Sequence, residues 1–253
     1  MRRPLPPPLA QLTAKPVEWA LFLDFDGTLV ELAESPSAIR VPSELPKLLH
    51  NLIRRFDGAV AILTGRSLAD LDRHLPSLTL PAAGQHGAER RLHDGQAEAA
   101  EQAPALAEAR AELQRFVTRH PGVLMEDKGA SLALHYRGNL KAQTVLAELA
   151  ETIAARSGGA LEVISGKAVY ELRPAGSSKG GVLRAFLAEP PFAGRCPLVL
   201  GDDVTDESAF AVALALGGTA VKVGDGASLA PWCLPAPAAV RRWLGEESDS
   251  RRT

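Results

Sequence analysis

Asp24 and Asp26 stand one residue apart in Leu21-Phe22-Leu23-Asp24-Phe25-Asp26-Gly27-Thr28-Leu29, where an apolar run ends in a turn. Two carboxylates leaving a buried strand repel each other and lose hydration. They stay ionised only where something positive shares the site, most simply a hard dication. Gly27 frees backbone N–H groups to point inward and Thr28 adds a hydroxyl, which gives one carboxylate a neighbouring anion cradle. A lone Asp-x-Asp is better explained as a strand ending in solvated acids; the Gly-Thr that follows shifts the reading to a metal-dependent reaction centre. Phe25, between the acids, alternates to the other side and is read as packing.

Three further segments carry matching chemistry: Thr64-Gly65-Arg66, Lys179, and Gly201-Asp202-Asp203-Val204-Thr205-Asp206. Each has a plain structural explanation: a strand-to-helix cap, a solvated first-turn lysine, a helix N-terminus attracting acids. Yet a first-turn lysine is disfavoured by the helix dipole unless an anion faces it, and three acids between 202 and 206 exceed what capping requires. Brought together, these groups suit attack on a phosphate monoester, whose own charge must be cancelled before a carboxylate can approach. Asp24 is the candidate nucleophile, forming an aspartyl-phosphate that water then cleaves. Asp26 would protonate the leaving sugar oxygen and then deprotonate that water. Mg²⁺ is the expected cofactor, on Asp24, Asp202 and the main-chain carbonyl of Asp26. Thr64 and its neighbouring N–H groups would hold phosphoryl oxygens, Lys179 would neutralise charge shared with Asp24, and Asp203 or Asp206 would order Lys179 and the water around the metal.

These motifs converge only if each follows its strand at one edge of an open α/β sheet. The pattern supplies that. Strand-like runs at Ala20–Asp26, Ala59–Thr64 and, more weakly, Leu78–Ala83 alternate with helical patterns at Leu45–Phe56 and Ser67–His74. The alternation resumes with a helix at Ser178–Ala188, a strand at Pro197–Gly201, a helix at Asp206–Ala215 and a strand at Thr219–Val223. Between these blocks the rhythm changes to αββαββ: helices at Pro104–Arg119 and Asn139–Arg156, each followed by a hairpin, at Val123–Asp127 with Ser131–Arg137 and at Leu161–Ser165 with Ala168–Arg173. Lys128-Gly129 and Gly166-Lys167 supply the turns. The fold class is therefore α/β, a doubly wound parallel-sheet core (19–102 and 175–245) with an inserted α+β cap (103–174), whose helix-free face is available to cover a pocket. A Pro-rich leader (1–18) and a polar tail (246–253) are expected to be disordered.

At 253 residues and 46% hydrophobic content the chain can bury a large core. A net charge of −2 without a basic block argues against nucleic acid or an anionic membrane surface as a partner, and leaves a small-molecule sugar phosphate. No long uninterrupted apolar run suggests a membrane span, and the prolines break any signal peptide. Cys196 and Cys233 are too few for a disulfide framework and lack ligand spacing, which points to reduced thiols and the cytoplasm. A monomer is the working expectation, the oligomeric state being left open.

Together the motifs resemble those of the haloacid-dehalogenase (HAD) superfamily, and the second acid, Asp26, resembles its phosphatases; its phosphomutases share Asp-x-Asp. The likeness sharpens at Gly84-Gln85-His86-Gly87-Ala88, at Glu126-Asp127-Lys128-Gly129 with Ser131-Leu132-Ala133-Leu134-His135-Tyr136, at Glu171-Leu172-Arg173-Pro174, at Lys179-Gly180 and at Gly201-Asp202-Asp203-Val204-Thr205-Asp206-Glu207. From Leu21 to Gly226 the chain resembles the trehalose-6-phosphate phosphatase family. That resemblance implies a HAD-like, Rossmannoid core, a mobile cap, Mg²⁺, and trehalose plus phosphate as products. Thr64 stands where many relatives carry Ser, which leaves the hydroxyl in place. The resemblance further implies Glu126 and Lys128 as readers of sugar hydroxyls, where the residues alone would give a hairpin tip with surface charges. Gly65, Arg66 and His86 are candidate substrate contacts, His86 being equally a turn-stabilising residue; Lys167, Arg137 and Glu171 are weaker candidates. Phosphatases for sucrose 6-phosphate or mannosyl-3-phosphoglycerate, and a non-catalytic sugar-phosphate sensor, are the alternatives.

Overall fold

β1 (Trp19–Leu23) lies near the middle of an eight-stranded sheet, flanked by β10 (Cys196–Gly201) and β2 (Val60–Leu63). The computed structural model describes residues 3–33, 38–99, 104–166 and 168–246. The chain divides into two compact units, Met1–Ala97 with Ser178–Thr253, and Glu98–Ser177; the sequence pattern puts its joins elsewhere, at 102/103 and 174/175.

The eight-stranded sheet runs in the order β12-β11-β10-β1-β2-β3-β4-β5, with β3 Ala82–Gly84, β4 Glu89–Arg91, β5 Ala97–Ala99, β11 Thr219–Val223 and β12 Trp232–Leu234. From β12 through β3 all pairs are parallel; β4 turns back antiparallel on β3. The chain winds outward from β1 in one direction and from β10 in the other, so the topological switch point lies between them. Register aligns Leu23 with Leu200. The residues that follow, Asp24 and the Gly201 to Asp206 loop, therefore emerge side by side.

Both faces of this sheet are buried, as a parallel sheet requires. Leu21, Leu23, Ile62, Leu198, Leu200 and Val221 face α2 (Leu45–Arg55), α3 (Leu68–His74) and α8 (Pro237–Gly245). Alternate positions Ala20, Phe22, Ala61, Leu63, Val199 and Ala220 face α6 (Lys179–Leu187) and α7 (Glu207–Ala215). Phe22 stacks on Phe192, ring centroids 5.4 Å apart, and meets Phe186 at 6.2 Å. Truncating such a ring costs about 3–5 kcal/mol.

The leader departs from the disordered segment expected of it. Residues 9–12 form a short helix, α1 (Leu9–Leu12), whose Leu9 is fully buried in the core. Arg3 donates to the carbonyls of Gly226 and Ser228, Cys233 N–H donates to Pro4 O (3.0 Å), and Trp243 Nε1 donates to Pro7 O (2.8 Å). Prolines deprive this stretch of donors but leave its carbonyls, and those are what the core uses. The weak strand expected at Leu78–Ala83 is confined to Ala82–Gly84. Beyond Glu246 the expected tail lies outside the described residues. No described helix is long and apolar enough to cross a membrane, and both cysteines are free.

In the second unit an antiparallel sheet in the order β6-β7-β9-β8 comprises Leu124–Asp127, Leu132–His135, Val169–Pro174 and Leu161–Gly166 respectively. Leu132, Leu134 and Leu172 pack against Leu106, Leu113 and Phe116 of α4 (Pro104–Arg119) and Leu146 and Ile153 of α5 (Gln143–Arg156). Cross-strand register places Glu126, Ala133, Glu171 and Ile164 in one row on the opposite face. Lys167 lies outside the described residues.

Candidate active site

Lys179 is the first residue of α6, capped by Ser178, whose Oγ accepts from Gly181 N–H (3.0 Å). Its buried Nζ donates to Asp24 Oδ1 and to Asp206 Oδ1, each at 2.6 Å. Asp206 Oδ2 accepts from Asp203 N–H (3.0 Å), so both oxygens of Asp206 are engaged within the protein. Gly201 makes this possible: a Cβ there would overlap the Asp206 side chain.

One carboxylate oxygen from each of Asp24, Asp202 and Asp206 lies within 4.8 Å of the others. Asp24 is buried, and its Oδ2 has no hydrogen-bond partner among the described residues. Burial pushes Asp24 well above the usual carboxylate range, with Asp206 and Asp202 adding to the rise against the pull of Lys179. Burial, then Asp206, raises Asp202 to about 6. Burial works against the charge of Lys179, yet Asp24 and Asp206 together hold it above its ordinary value. Burial and mutual repulsion therefore oppose charge on Asp24 and Asp202 together, and further positive charge beside them would relieve that opposition. A buried, unpartnered carboxylate oxygen facing a second carboxylate is an all-oxygen donor set of the kind a hard dication takes, and Asp206 is already spent on Lys179.

Gly27 serves a different end from the one its position suggests. Its N–H donates to Val30 O (2.8 Å) inside the turn, so it is not a free anion donor. What the site needs is its missing side chain: φ is +78°, and a Cβ would overlap the carboxyl group of Asp202.

Asp26 and Arg66 form a two-pronged pair, Nε to Oδ2 at 2.6 Å and Nη2 to Oδ1 at 2.7 Å. The side chain of Asp26 is thus turned to the guanidinium, while the carboxylate cluster is made by Asp24, Asp202 and Asp206. Thr64 is buried, and its Oγ1 accepts from Arg66 N–H (3.1 Å), leaving its own O–H to donate. Gly65 has no room for a Cβ because the His86 ring lies within 2.8 Å of where it would stand. His86 itself has φ of 57°, and its N–H donates to Thr64 O (3.0 Å), so the 84–88 motif is tied to the 64–66 loop.

With that geometry in view, residues 22–228 match the family model described as trehalose-phosphatase. The chain belongs to the trehalose-phosphatase family. It is 43% identical over 235 residues to a probable trehalose-phosphate phosphatase of Sinorhizobium fredii, covering 92% of this chain and 89% of that protein. It is 39% identical over 238 residues to the trehalose-6-phosphate phosphatase of Escherichia coli, covering 94% and 89%. A solved trehalose-6-phosphate phosphatase related protein superposes with a TM-score of 0.76 at 29% identity, over 89% of this chain and 95% of that one. The core is HAD-like, as solved haloacid dehalogenase-like hydrolases share its fold.

The candidate substrate contacts Glu126 and Lys128 lie in the second unit. There Glu126 pairs with His135 Nε2 (3.0 Å), Lys128 lies 3.5 Å from Glu171, and Glu171 accepts from Ser131 Oγ (2.7 Å). Three groups of the first unit escaped the sequence reading. Buried Lys222 of β11 donates from Nζ to the main-chain carbonyl of Asp202; a lysine interrupting the apolar run of Thr219–Val223 was the available signal. Asp70 and His74, on the inner side of α3, both reach Arg66, a contact that a helix pattern does not announce.

Proposed function

We propose that the chain is a Mg²⁺-dependent phosphatase that hydrolyses trehalose 6-phosphate to trehalose and phosphate by way of a phosphorylated Asp24. The observation that carries this is Asp24 Oδ2, buried and without a partner, beside Asp202 and with its other oxygen held by Lys179. Asp24 and Asp202 are the side chains that would hold the ion; Asp206 stays with Lys179. When bound, the ion supplies positive charge against which two carboxylates and a phosphate dianion can meet.

The chain's own residues then account for each transfer. Asp24 attacks phosphorus as the bond from phosphorus to the sugar oxygen breaks, and the Asp26 carboxyl gives that oxygen its proton, releasing the sugar as an alcohol. The Asp26 carboxylate next takes a proton from water as the water oxygen attacks the same phosphorus, which frees phosphate and restores Asp24. Thr64 donates to a phosphoryl oxygen, and Lys179 keeps Asp24 in line and offsets its charge. Glu126 and Lys128 are the side chains we assign to sugar hydroxyls. A non-catalytic sensor would have no need to retain Asp24, Asp26, Lys179 and Asp202 together. Phosphate release should be strongest with trehalose 6-phosphate, weak with sucrose 6-phosphate and mannosyl-3-phosphoglycerate, and abolished by EDTA. Equal rates across the sugars would overturn the substrate assignment, and persistence in EDTA the metal.

The raised carboxylates give a pH signature in the metal-free protein. Asp24 and Asp202 bind protons more tightly folded than unfolded, so their contribution to stability is fully present below the unfolded value of 3.8 and is lost as pH rises through the folded values, about 6 for Asp202. Mg²⁺ binds the deprotonated pair, so it should raise the melting temperature by several degrees at pH 7.5 and by much less at pH 5. Differential scanning fluorimetry with and without Mg²⁺ checks this; Asp202→Asn should flatten the difference.

A further inference from the structure

Arg66 is buried, and each of its three side-chain nitrogens is engaged by the protein. Nε and Nη2 hold the two oxygens of Asp26; Nη1 donates to Asp70 Oδ2 at 2.5 Å and lies 3.3 Å from His74 Nε2. The guanidinium carbon is 6.0 Å from the centre of the Phe25 ring, and the His74 ring lies 6.4 Å from the same centre. Phe25 is fully buried and lies between the two acids in sequence, so this assembly is anchored in the core at the point where the catalytic loop begins.

We infer that Arg66, braced by Asp70 and His74, is the positioning arm of the acid–base carboxylate Asp26, and that it does not read the substrate. The inference rests on the phosphatase reading above. A guanidinium fork fixes the plane and rotamer of the carboxyl group it grips, which a point charge cannot do. Only the lone-pair positions outside the fork are then left to carry the proton as an O–H, so the direction in which it is given is set by Arg66. Asp70 supplies the charged acceptor that keeps the far side of the fork from slipping. His74 accepts from Nη1 only in the tautomer with Nε2 unprotonated, and so acts as a spacer against Phe25. Proton delivery tolerates little misplacement, since an error on the order of 1 Å can cost about 10²-fold in rate.

The test separates leaving groups. A sugar alkoxide must be protonated as it departs; a nitrophenolate need not be. Asp70→Asn and Arg66→Lys should each lower kcat for trehalose 6-phosphate by about 10- to 100-fold with KM within about twofold. With p-nitrophenyl phosphate, the first-turnover burst of nitrophenolate should keep its parental rate, followed by slow turnover as the deprotonation of water falters. Thermal melts of both variants establish that they are folded at the assay temperature. Equal loss with both substrates, including the burst, would overturn the inference, as would a raised KM with unchanged kcat, which would make the network a substrate reader. Full activity in Arg66→Lys would show that the fork is not needed. If the parent chain releases no phosphate from either compound, the phosphatase reading itself fails, and this inference with it.

Discussion

Asp24→Asn should lose about 10⁴-fold or more in turnover and yet melt no lower than the parent in the absence of metal. The loss follows from removing the proposed nucleophile, for which the amide is no substitute. The unchanged or raised stability follows from the environment of the side chain. Burial and two neighbouring carboxylates disfavour charge on Asp24, so a neutral group of the same shape relieves an electrostatic penalty. Lys179 keeps Asp206 as a partner at 2.6 Å, so its ammonium is not stranded. The variant should also lose most of its stabilisation by Mg²⁺, because one of the two carboxylates proposed to hold the ion is gone. Phosphate release and melting curves on the same preparation check all three. Retained turnover would refute the covalent route; a steep fall in melting temperature would refute the account of the charge balance.

Gly27→Ala should cut turnover by about 10²- to 10³-fold, although it touches no reacting atom. The added methyl overlaps the carboxyl group of Asp202 and must displace it, and φ of +78° makes any L side chain strained there by about 1–2 kcal/mol. Asp202 is the partner of Asp24 in the carboxylate pair, so the first thing lost is metal affinity. The activity should therefore recover in part at high Mg²⁺, which distinguishes a displaced ligand from a general loss of fold. Kinetics across a Mg²⁺ titration, with a thermal melt as control, reads this out. Insensitivity of the defect to Mg²⁺ would mean that Gly27 matters only to the turn.

The alternating strand and helix pattern was enough to find the core sheet and the αββαββ insert, because period-two and period-3.6 hydrophobicity directly encode which face is buried. Thr219–Val223 and Pro104–Arg119 were legible to the residue. β4, β5 and β12 were not, being three residues each and too short to show a period. The leader misled because Pro-rich composition speaks for an extended, donor-poor chain, whereas docking depends on where its carbonyls and Leu9 find partners. At the site, residue types and strand-end positions pointed to Asp24, Lys179, Asp202 and Asp206, all of which the fold brings together. Side-chain direction was out of reach. That Asp26 turns to Arg66, that Gly27 makes room for Asp202, and that Lys222, Asp70 and His74 stand behind these groups are contacts between distant segments, and no spacing in the chain records them.

The central claim is that phosphate passes through Asp24. Mixing the enzyme with trehalose 6-phosphate and Mg²⁺, quenching within a turnover and reducing with borohydride converts an acyl phosphate to homoserine, which peptide mass spectrometry locates. The account predicts homoserine at position 24, dependent on both substrate and metal. Phosphate release with an unmodified residue 24, or with the label at residue 26, would contradict it.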